Sequence, residues 1–204
     1  MSIFDQADKL YITLTPAGVF EAFSQSEPTA MQLSLQALLS HKETMLVSNW
    51  LAEYPEMWLE EFLEQGFIEK LSSFLPAPNL PLDQFLPYVV ASLSGKRRAA
   101  IASDDGFCLA RIGYTQDEAD MLSVAAADFS GFMQRQQSRG WAVESRAISF
   151  FRQVDLLIPD TSFVFLWIDD AGYALIIDGE PLTNNRAFVE LIWGIKTSAL
   201  KFAN

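Results

Sequence analysis

One histidine, His41, and one cysteine, Cys108, are all that these 204 residues offer toward an N/S metal centre or a thiol or imidazole nucleophile. A structural zinc site takes four such ligands, so that chemistry is excluded, as is an intrachain disulfide. His41 lies between two expected helices beside Lys42 and Glu43, where nothing supplies a nucleophile or an orienting partner for a general base. Cys108 falls in an expected strand, away from any helix N-terminus that would lower its pKa, and reads as a small core hydrophobe. The ten glycines spell neither a GxxxxGK[ST] nor a GxGxxG phosphate loop, and no GxSxG elbow is present. Asp117-Glu118-Ala119-Asp120 matches a helicase signature by letter, but it opens a helix in a chain without a phosphate loop. There its acids complement the helix dipole. Asp104-Asp105 and Asp169-Asp170 each bring two carboxylates where calcium takes six or more oxygens, and a nearby glycine makes both read as turns. The expectation is a protein that is not an enzyme, with no catalytic, metal or cofactor residues.

The remaining chemistry is charge. Fourteen Lys and Arg stand against 26 Asp and Glu, a net charge of −12, which repels nucleic acid and anionic membrane. Lys96-Arg97-Arg98 is the only basic run. It follows an expected helix whose C-terminal dipole favours cations, and it is also a candidate docking patch for an acidic partner. Half of the residues are hydrophobic, enough for a packed core and too many for a disordered chain. The greasy stretch 163–177 is split by Asp169-Asp170 and Gly172, and the first ten residues carry Asp5 and Asp8 instead of a signal-peptide pattern. A cytoplasmic protein without membrane segments is expected.

These residues are positioned by two parts of different rhythm. Pro76, Pro78 and Pro81 mark a linker at 76–81, leaving a module at 1–75 and a domain at 82–204. The first part is mainly helical. Leu33, Leu35, Leu38 and Leu39 follow Pro28-Thr29, a second helix holds Met45, Trp50 and Leu51, and a third runs from Pro55 to a stop at Gly66. Phe67-Ile68-Glu69-Lys70-Leu71 alternates as a short strand does. Three helices closed by Leu-Glu-Gln-Gly-Phe-Ile resemble a winged-helix module. Its would-be recognition helix carries Glu56, Glu60, Glu61 and Glu64 and no Lys or Arg, so a protein-contact or structural unit is expected rather than a DNA reader.

In the second part, Leu82, Phe85, Leu86, Val89, Val90 and Leu93 form a helical stripe with Asp83 as its expected N-cap. Asp104-Asp105-Gly106 joins two strands at 99–103 and 107–112. Thr115 and Glu118 form a capping box opening a long helix through Met121, Leu122, Ala126, Phe129 and Met133 to Gly140. A strand within 141–150 and an extended piece near 156–158 come next. A hairpin of two apolar strands, 163–168 and 173–177, turns at 169–172 and reads as covered on both faces. A last helix follows Asn184-Asn185.

The stretch AAIASDDGFCLARIG running into DEADMLSVAA, with Ser103, Asp105, Gly106, Leu109 and Ala110 at the matching positions, resembles the Roadblock (dynein light chain) family. Residues 152–159 depart from the family pattern and leave the register of the third strand open. The resemblance implies an α+β fold of helix, hairpin, helix, strand meander and helix, a three-layer sandwich around a central antiparallel sheet. It also implies a homodimeric scaffold or regulator of a partner protein such as a Ras-like small GTPase; prokaryotic relatives are associated with GTPases that control motility and polarity. An exposed third strand would pair across a twofold axis. Met121, Val124 and Phe132 on the long helix and Val143 and Ser145 on that strand are the candidate dimer interface. The alternative is a small-molecule-sensing signalling domain, for which 16 Phe and 6 Met would line an apolar pocket.

Overall fold

The computed structural model describes residues 10–141, 146–152 and 157–199. The N-terminal part contains a sheet as well as helices. Strand β1 (Tyr11–Leu14) lies between β2 (Met45–Leu46) and β3 (Ile68–Leu71), antiparallel to both. Ile12, Thr13 and Leu14 are all buried, so β1 lacks the alternation that would mark it in the sequence. Thr15 ends the strand and caps α1 (Pro16–Ala22): its Oγ1 accepts from the Gly18 N–H at 3.1 Å and donates to the Gly66 carbonyl at 2.6 Å. Pro16 occupies the first turn, where no N–H is required. Gly18 is obligatory, because a Cβ there would strike the Phe67 carbonyl.

Helix α2 (Ala30–Gln36) opens on a second capping box, Thr29 with Gln32, and tightens into a 3-10 turn at Ala37–Leu39. Helices α3 (Val47–Leu51) and α4 (Glu56–Glu64) follow, and Pro55 stands one position earlier than expected, as the N-cap. The proline-rich segment is pinned at its start, where the Ala77 N–H donates to the Lys42 carbonyl at 2.8 Å and Glu43 bridges Pro76.

The second part has the expected order of elements. Helix α5 (Leu82–Ala91) precedes the hairpin β4 (Ala99–Ser103) and β5 (Cys108–Ile112). Asp83 sits in the first turn of α5, and Pro81 takes the cap. Then come α6 (Gln116–Ser138), β6 (Ala147–Phe150), β7 (Thr161–Ile168), β8 (Ala171–Asp178) and α7 (Arg186–Ala199). The strands form one antiparallel sheet in the order β5-β4-β8-β7-β6. The β7–β8 turn is tighter than the expected 169–172. Asp169 and Asp170 alone make it, with φ of 49° and 66°, while Gly172 pairs with Trp167 inside the ladder.

Both faces of the sheet are covered, as the apolar runs require. Ala100, Ala102, Phe163, Phe165, Ala174 and Ile176 face α6, while Ile101, Val164, Leu166, Leu175 and Ile177 face α5 and α7. Helix α7 is buried nearly all round because the N-terminal part closes over its other side. Phe20 packs on Phe188 with ring centroids 4.7 Å apart, and the Trp193 indole N–H donates to the His41 carbonyl at 2.7 Å. One buried cluster therefore contains Ile12, Phe23, Leu35 and Leu39 together with Phe188, Leu191 and Ile192. Lys196, itself buried, ties this joint to the β7–β8 turn through Asp169 at 2.6 Å. Among the described residues no helix is long and apolar enough to cross a membrane.

Candidate functional site

Helix α6 separates the sequence's apolar residues by face. Ala119, Ser123 and Ala126 are buried on the sheet, whereas Met121, Val124 and Phe132 are 65%, 57% and 44% exposed. Steps of three and then eight residues place those three side chains on one stripe, opposite the sheet. Toward the end of the helix this stripe meets an aromatic group. Phe132 packs edge-on against Trp141 at 6.4 Å, and Phe129 packs against Phe150 at 5.3 Å and Phe163 at 5.2 Å. Phe150 belongs to β6, the last strand of the sheet, and Trp141 and Phe150 are themselves exposed. Main-chain N–H groups of Phe165 and Asp160 donate to the carbonyls of Arg146 and Phe150, so alternation turns the Ser149 main chain away from β7. Thus Met121, Val124 and Phe132 share one exposed face near a sheet edge. Val143 and Ser145 lie outside the described residues.

The basic run is ion-paired at two of its three positions. Lys96 Nζ reaches Asp178 Oδ1 at 2.7 Å, and Arg98 bridges Asp178 at 2.9 Å and Glu118 at 2.6 Å while stacking 4.3 Å over the Tyr114 ring. Arg97 is exposed at a φ of 54°. All three lie beyond the end of α5, past Ser92–Gly95, rather than in its last turn.

The capping box at α6 forms as read. Thr115 Oγ1 accepts from the Glu118 N–H at 3.3 Å, and Glu118 Oε2 accepts from the Thr115 N–H at 2.8 Å. The Thr115 N–H, then the Arg98 guanidinium, hold the Glu118 carboxyl below its ordinary range. Replacing Thr115 with Ala is expected to cost about 0.5–2 kcal/mol in a urea titration. Because the folded pKa of Glu118 is lowered, its contribution is present above the unfolded carboxylate pKa and is lost as pH falls through the folded value. Glu118→Gln should flatten the acid side of the stability profile between those two values.

The other chemistry-bearing residues are structural in their surroundings. Burial pushes the Cys108 thiol up, away from thiolate character. His41 exposes its ring and contributes its carbonyl to Trp193. Asp104 sits in the β4–β5 turn, its N–H donating to the Gly172 carbonyl at 2.9 Å. Among the described residues no three His, Cys, Asp or Glu side chains are grouped to hold a metal ion.

Two open clefts flank α6. One, of about 600 Å³, lies between the segment Ser24–Glu27 and the second half of the helix and is lined by Met133, Gln137, Arg146 and Trp167. The other, of about 490 Å³, holds the Lys96, Arg98 and Tyr114 group. Neither cleft is legible in the sequence, since each gathers residues from elements far apart in the chain.

No family model matches this chain, and no curated protein does. A crystal structure of a Roadblock/LC7 domain from Streptomyces avermitilis is similar over 60% of this chain and 96% of that one, with a TM-score of 0.39 and 15% identity.

Proposed function

We propose that the protein is a non-enzymatic homodimeric scaffold of the Roadblock type, cytoplasmic, that regulates a partner protein of the small-GTPase class. The observation that carries this reading is the exposed stripe Met121, Val124 and Phe132 beside β6, the terminal strand of the sheet among the described residues. A contiguous apolar face invites a second surface, and a twofold partner offers the same face in return. The GTPase class comes from the likeness of residues 99–126 to Roadblock segments.

The module at 1–75, packed on the 82–204 domain through α7, is read as a winged-helix-type protein-contact unit. Glu56, Glu60, Glu61 and Glu64 on and around α4 give it no affinity for phosphate. A gel-shift titration at low salt is expected to leave duplex DNA free. Capture on the tagged full-length chain from its own cells, read by mass spectrometry, should recover a small GTPase. Repeated capture that returns none would remove that partner. The second reading, a small-molecule sensor, draws on the two clefts beside α6.

A further inference from the structure

We draw no further inference here: the strongest candidate, the apolar sheet edge at β5 where Phe107, Leu109 and Ile112 are exposed, carries nothing because no observation in the structure shows what covers it.

Discussion

Truncating Trp193 to alanine is expected to cost about 3–5 kcal/mol, a large part of the stability of a domain this size. The indole is 1% exposed and fills the joint where α7 meets both the sheet-side helix α5 and the N-terminal part. Its removal leaves a cavity in that joint and an unmet His41 carbonyl whose donor stood at 2.7 Å. Because one buried cluster crosses the boundary at 76–81, both parts should lose stability together. Urea unfolding followed by tryptophan fluorescence and by far-ultraviolet dichroism should give coincident curves, with the midpoint shifted by that amount. A loss under about 1 kcal/mol, or two separated transitions with only one of them moved, would show that α7 does not join the halves.

The pair Val124→Glu and Phe132→Glu is expected to weaken self-association at least a hundred-fold while leaving the monomer folded. Both side chains point away from the sheet, so the substitutions cost the monomer little. Across a twofold axis they would place like charges opposite one another and strip them of water, a penalty of several kcal/mol. A double variant that associates as tightly as the parent would move the interface off this face of α6.

Local signals made most of the second half legible. The Thr115–Glu118 capping box, the Asp-Asp-Gly turn and the doubly apolar runs each point to one structure. Strand β1 and helix α1 are hidden in the sequence. Tyr11–Leu14 is short and buried on both sides, which erases its period, although Thr15-Pro16 is a helix-start signature in plain view. The apolar stripe on α6 was legible because periodicity shows which residues exceed what one core contact needs. Arg98 shows in the sequence only as part of a basic run, since its partner Asp178 lies 80 residues away and meets it through the adjacency of β4 and β8. Pairings of that kind depend on strand order, which no local pattern contains.

Light scattering coupled to size exclusion, on the full chain at micromolar concentration, tests the homodimer most directly. The expected mass is twice the 22.9 kDa of one chain, falling to a single chain in the Val124→Glu, Phe132→Glu protein. A parent protein with the mass of one chain across that range would contradict the twofold contact on this face of α6 and the scaffold built on it.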